Sequence, residues 1–374
     1  VSDRECSYPS QVQDEKALKA DLTSRERSFG PNHNKRSAGK GSFAHLLLTP
    51  SSPANSPAHP LLYNPYDASS DAAVNLDHMH LLIHVTQDSD IFSLGTSVES
   101  YHHSGLSLGL REANNAPYLL HALLAFSAQH LAHLQPEKAT HYLHQAVSLQ
   151  TRAISLFNST WTNVDESNCV AVLLFSSVLG HHLLAETLRR RDPGDLDTFI
   201  EHYVQCTNMH RGIFVIAESA WPLLMESELE PILSMSHSFT SGEPVGDECQ
   251  PLHDLVDTSL NLTKGEKVAT RVAIDYLQIG FDASNTLRKS NHNRHQMIYS
   301  WTMLVPPEVT NMLARKQPEA LILLAYYAVL LHRGKTLWQV GDTGAFIFEL
   351  IASYLGPEWS LYLEYPRNHT LGGA

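Results

Sequence analysis

Twenty-three histidines in 374 residues are the first feature with chemical potential. His80 and His84 stand four apart, and "HLLIH" has the spacing of a zinc-binding helix. It lacks the glutamate that would activate a metal-bound water in such a motif. His130 and His133, and His141 and His144, are three apart, while His102–His103 and His181–His182 are adjacent. For all of these a structural role outweighs a metal-binding one: imidazoles serve polar helix faces and helix ends far more often than ions. No Ser or Cys stands with His and Asp in a nucleophile–base pattern. "GDTGAF" (341–346) lacks the lysine and the spacing of a phosphate loop. No catalytic residue is assigned and enzymatic activity is not expected.

A second group of residues points to binding. "ALILLAYYAVLL" (320–331) is apolar nearly all round, which predicts a helix over 319–332 buried on several sides. Leu324, Tyr326 and Tyr327 lie at its centre. Trp338, Phe346, Phe348 and Tyr354 follow. Buried aromatics with a few polar tips can line a pocket for a flat apolar ligand carrying one hydroxyl. Taken one at a time, each is more readily plain core. Gly341 and Gly344 flank Asp342 at a predicted helix start; they serve turn and cap geometry or, alternatively, allow close approach at a pocket wall.

The elements that would position these residues are helices. "NAPYLLHALLAFSAQHLAHL" starts near Pro117, a residue suited to a first helical turn. "PEKATHYLHQAVSLQTRAISLFN" follows, with apolar positions at Tyr142, Leu143, Ala146, Leu149, Ala153 and Leu156. "DESNCVAVLLFSSVLGHHLLAETLRRR" has an acidic start and a basic end, as the helix dipole prefers. "GDLDTFIEHYVQCTNMHRGIFVIAESAWPLL" reads as one or two helices stopping at Pro222, and "KGEKVATRVAIDYLQIGFDAS" as another. The helix over 317–333 should close at Gly334, and the next should be capped by Asp342 and stopped by Gly356. Period-two alternation is nearly absent, and no fixed repeat is found. The fold class is all-α, with a multi-helix domain over 76–374. Residues 10–75, dense in Ser, Pro and Gly and without hydrophobic periodicity, read as a disordered linker.

Composition narrows the function classes. The net charge of -13 argues against nucleic-acid binding by bulk electrostatics, although residues 1–45 carry eight Lys/Arg against six Asp/Glu. The four cysteines, Cys6, Cys169, Cys206 and Cys249, have no framework spacing and fit free thiols in a reducing compartment. There is no signal-peptide pattern. The run at 320–331 is too short for a bilayer, which takes roughly 20 residues, so no membrane span is expected.

"ECSYPS" (5–10) resembles the exit of the fungal binuclear zinc cluster, in which six cysteines bind two zinc ions and the sixth is often followed by x-Tyr-Pro. Cys6 matches that sixth ligand; the other five would lie upstream of Val1, which makes residues 1–9 a remnant of the cluster. "NLDHMHLLIHV", "PYLLHALLAFSAQHLAHL", "NCVAVLLFSSVLGHHLLAETL" and "QPEALILLAYYAVLLHRGKTLWQVGDTGAFIFELIASYLGPEWSLYLEYPR" resemble, in family order, blocks of the fungal-specific transcription factor domain over residues 76–367. The nearest branch is the sterol uptake control type. The resemblance implies an RNA polymerase II-specific transcription factor that binds DNA through its zinc cluster. It also implies an ergosterol-type ligand near the C-terminal end. Location would be nuclear, with a cytoplasmic ligand-bound state. A homodimer is compatible with this. The candidate pocket residues are Leu324, Tyr326, Tyr327, Trp338, Gly341, Gly344 and Phe346, and zinc would be bound only by the full-length protein. The alternatives are a regulator of a secondary-metabolite gene cluster without a sterol ligand, or a helical scaffold without DNA binding.

Overall fold

Asn75 caps the first of the described helices: its side chain accepts a hydrogen bond from the His78 N–H at 3.0 Å. The computed structural model describes residues 74–94, 99–160, 163–191, 196–285 and 294–371. All of them fall in one compact unit, Leu46–Ala374. Cys6, the rest of residues 1–9 and nearly all of the 10–75 segment lie outside the described residues, as do the side chains of His102 and His103.

Among the described residues the chain forms fifteen α-helices and no strand, as the periodicity predicts. They are α1 Leu76–Gln87, α2 Glu99–Ala113, α3 Pro117–Leu134, α4 Ala139–Thr160, α5 Cys169–Arg189, α6 Leu196–Ser219, α7 Trp221–Met225 and α8 Glu230–Thr240. There follow α9 Gln250–Thr258, α10 Lys264–Ser284, α11 Gln296–Leu304, α12 Pro307–Ala314, α13 Pro318–Arg333, α14 Thr343–Leu355 and α15 Ser360–Thr370.

The N-terminal helices α1, α3 and α4 share a core of Leu81, Leu124, Ala128, Leu131, Tyr142, Ala146 and Leu149. On α4 the buried stripe is Tyr142, Ala146, Leu149, Ala153 and Phe157. Leu143, expected inside, is 47 % exposed, because a step of one residue swings the side chain about 100° around the axis. A second core joins α2, α5, α6 and α7 through Leu108, Leu173, Ile213 and Leu224. Pro222 does not stop a helix here; it opens the short α7, where its missing N–H costs nothing.

The largest core surrounds α13. Thirteen consecutive residues of this helix, Glu319 to Leu331, are buried, so neighbours cover its whole circumference. Helices α10, α11, α12, α14 and α15 pack around it. Gly280 on α10 and Gly344 on α14 allow two of these approaches. A Cβ on Gly280 would stand 2.8 Å from Leu330 Cδ1, and one on Gly344 would stand 2.5 Å from the Ala328 carbonyl oxygen. α13 ends at Gly334 and α14 at Gly356, which adopts a φ of 77° that favours glycine.

α5 is long and apolar enough to cross a membrane by length and composition. Most of its residues are nonetheless buried against α2, α3 and α6, and its midpoint carries His181 and His182.

Candidate functional site

α13 carries Tyr326 and Tyr327 side by side, and a helix turns adjacent residues to different faces. Tyr327 points toward α11: its hydroxyl donates to the Ile298 carbonyl at 2.6 Å, and its ring stacks on Trp301 at 4.5 Å. Trp301 in turn donates from Nε1 to the Ala273 carbonyl at 3.2 Å, so both of these polar tips are satisfied, whereas the hydroxyl of Tyr203, whose ring lies 6.1 Å from that of Tyr327, is buried without a partner. Burial pushes the Tyr327 phenol far above its usual range, which keeps it a neutral donor.

Tyr326, about 100° further round the helix, faces α9 and α15. It is 1 % exposed, yet its hydroxyl oxygen has no hydrogen-bond partner. It lines a cleft of about 530 Å³ walled by Pro251 and Asp254 of α9 and by Leu361, Tyr362, Glu364, Tyr365, Asn368 and His369 of α15. The Tyr326 ring stacks on Tyr365 at 5.3 Å, and Tyr365 stacks on His369 at 4.1 Å, giving a three-ring wall. The Tyr365 hydroxyl accepts from Arg333 at 3.1 Å, and Arg333 also donates to Ser284 Oγ at 2.7 Å. Burial raises the Tyr365 phenol to about 12 despite the nearby guanidinium. His369 Nδ1–H donates to the Tyr365 carbonyl at 2.8 Å, which leaves Nε2 as an acceptor. Asp254 and Glu364 place two carboxylates at the cleft.

The wall made by α15 is the weaker one. Pro366 lies inside that helix and removes a backbone donor, and Leu361 is 73 % exposed.

The other residues assigned to a pocket from sequence lie elsewhere. Leu324 is fully buried in the main core. Trp338 packs on His130 at 4.7 Å and Phe126 at 5.3 Å, and donates from Nε1 to the Ile91 carbonyl at 3.2 Å. Gly344 sits at the α13–α14 crossing, against backbone. Gly341, at a φ of 55°, makes the turn before α14 and has open space where a Cβ would stand. Phe346 lies under the Arg191 guanidinium, 4.6 Å from its ring centre. Asp342 occupies the cap position of α14 without capping it: its carboxylate pairs with Arg191 instead. Arg191 also donates to the Leu188 carbonyl at 2.6 Å and to Thr343 Oγ1 at 3.1 Å, tying the end of α5 to the start of α14.

Of the seven pocket residues read from sequence, then, Tyr326 lines the cleft, and its partners come from α9 and α15. Tyr362, Tyr365 and His369 recur at steps of three and four, an aromatic stripe on one helical face. That stripe was a readable signal; what it faces was not.

The adjacent histidines His181 and His182 are both buried. His181 stacks on Tyr299 at 4.0 Å, and burial lowers its pKa to about 3; burial likewise lowers His182 to about 4. His210 Nε2–H donates to the Gly180 carbonyl at 2.9 Å, and Cys206 Sγ lies 3.7 Å from that nitrogen. Burial raises the Cys206 thiol to about 12, so this Cys–His pair holds an inert thiol rather than a nucleophile. Comparison of the sequence with protein-family models finds no match, and comparison with curated proteins finds none.

Proposed function

We propose that the helical domain is the effector-binding part of a DNA-binding transcription factor of the fungal zinc-cluster type, and that its ligand occupies the cleft between α9, α13 and α15. The resemblance of the helical blocks to the fungal-specific transcription factor domain supports the regulatory role. The observation that carries the ligand reading is Tyr326, which lines the cleft and whose hydroxyl is buried without a partner. An unsatisfied buried hydroxyl costs about 1–3 kcal/mol, and a ligand hydroxyl there would recover it. Stacked rings below and Leu361 at the mouth offer apolar surface to a flat molecule. A sterol-like ligand has this combination of a rigid apolar body and one hydroxyl.

A second reading is favoured by Asp254 and Glu364. Two carboxylates beside aromatic faces also suit a flat organic cation, through charge and cation–π attraction. The regulator would then answer to a non-sterol effector, as in control of a secondary-metabolite cluster.

Thermal melting of the full chain tests both. At one hundred times Kd a ligand of the folded state stabilises it by about 2.7 kcal/mol. Ergosterol should raise Tm, and Tyr326→Phe should reduce that rise. A rise with a planar aromatic amine but not with ergosterol or cholesterol favours the second reading. No shift with a sterol, an amine or a fatty acid rejects the cleft as an effector site. A gel shift of the full-length protein, zinc cluster included, against random-sequence duplex pools tests the DNA-binding role separately.

A further inference from the structure

α1 and α3 bring together three ligand atoms that the sequence spreads over 46 residues. His84 Nε2 on α1 lies 3.1 Å from His130 Nδ1 on α3. Asp88, which ends α1, holds its Oδ2 at 4.0 Å from the same His130 nitrogen. All three ligand atoms lie within 4.8 Å of one another. In tetrahedral zinc sites, with zinc–ligand bonds of about 2.0–2.2 Å, ligand atoms stand roughly 3.3–3.5 Å apart. Side-chain adjustments of an ångström or so would therefore close this group on an ion.

Two of the three ligands are also held in place. Asp88 Oδ1 accepts the Asp90 N–H at 3.0 Å, which fixes the carboxylate and leaves Oδ2 toward the histidines. The His130 ring is 1 % exposed and packed against Trp338 at 4.7 Å. Such supporting contacts around the ligands are what orient working metal sites. His84 and Asp88 are half-buried, so the group is reachable from solvent on one side.

We infer that His84, Asp88 and His130 form a binding site for a borderline divalent metal, zinc in the first instance, with a fourth position open to water. Two imidazoles and one carboxylate select zinc, cobalt or nickel over magnesium and calcium, which take oxygen. The residues are distinct from Cys6, and the site needs neither the sterol reading nor a zinc cluster. Bound metal would clamp the C-terminal end of α1 to the middle of α3. The segment that follows, with Ile91 accepting from Trp338 Nε1 at 3.2 Å and from Gln339 Nε2 at 3.1 Å, would then be anchored at both ends.

Calorimetric titration of the full chain with Zn²⁺, and visible spectroscopy with Co²⁺, test the site. The wild type should bind one ion per chain at this site, raise its Tm with Zn²⁺ but not with Mg²⁺, and show cobalt bands of nitrogen and oxygen ligation. His84→Gln and Asp88→Asn, at half-exposed positions, should each raise the dissociation constant about tenfold or more and remove the Tm shift. The exposed His144→Gln should leave both unchanged. Variants that bind Zn²⁺ as tightly as the wild type would overturn the inference. So would binding that vanishes only when the cysteines are alkylated.

Discussion

Tyr326 and Tyr327 are consecutive, equally buried and on one helix, but they face two different regions. On the Tyr327 side the tyrosine's own hydroxyl bonds to Ile298 and Trp301 to Ala273, while the neighbouring Tyr203 hydroxyl is buried without a partner. The Tyr326 side is stacked as well, on Tyr365, but its hydroxyl is orphaned beside a cleft. Burial alone does not separate core from site. Nor does an unsatisfied polar atom, since both Tyr203 and Tyr326 carry one; what separates the two sides is that Tyr326 also lines open space.

Acid should break the Tyr327 side with the largest effect. α11, which supplies Ile298 and Trp301, also carries Tyr299, which packs on His181 at 4.0 Å and on His210 at 5.1 Å. Burial lowers His181 to about 3 and His182 and His210 to about 4. The unfolded chain takes up these protons near pH 6.5 and the folded one does not. Stability is therefore complete above pH 6.5 and falls as pH drops toward 4, by about 1.4 kcal/mol per pH unit for each histidine. Urea midpoints at pH 7 and pH 5 should differ accordingly, and equal midpoints would refute the account.

Truncation comes next. Trp301→Ala should cost about 3–5 kcal/mol, as a large buried ring leaves a cavity. Tyr365→Ala, at the half-buried cleft wall, should cost less than half of that in the same urea titrations. Gly344→Ala should cost about 1–3 kcal/mol, because its methyl meets the Ala328 carbonyl oxygen at 2.5 Å across the α13–α14 crossing. The smallest effects discriminate most sharply. Tyr327→Phe should cost about 1 kcal/mol by removing the bond to Ile298, whereas Tyr326→Phe should be neutral or stabilising in the absence of ligand. Equal losses in the two variants would abolish the distinction between the two sides.

Much of the architecture was legible in the sequence because helices are written locally. The bounds of α10 and α13, and the closing glycines Gly334 and Gly356, follow from periodicity and terminal chemistry. What could not be read depends on residues far along the chain. Asp342 looks like a helix cap until Arg191 claims its carboxylate. His84 and His130 each belong to a local histidine pair, but the contact they make is with each other, across two helices. The difference between Tyr326 and Tyr327 turns on α11 and α15, which precede and follow α13 in sequence and meet different faces of it. The cleft was therefore only half visible: its floor lies in an apolar run that stands out, and its wall in a polar, proline-bearing helix that does not.

The complete enclosure of α13 has a consequence in time. With Glu319 through Leu331 buried and Gly280 and Gly344 letting neighbours press against it, the helix has no face from which it can fray. Its amide protons should exchange with deuterium only when the whole unit opens, so the slowest of them report the global unfolding free energy. The amides of α15, interrupted by Pro366 and exposed at Leu361, should exchange through local openings long before that. Exchange rates read along the chain would then change abruptly from one wall of the cleft to the other, giving it a fast door and a slow floor.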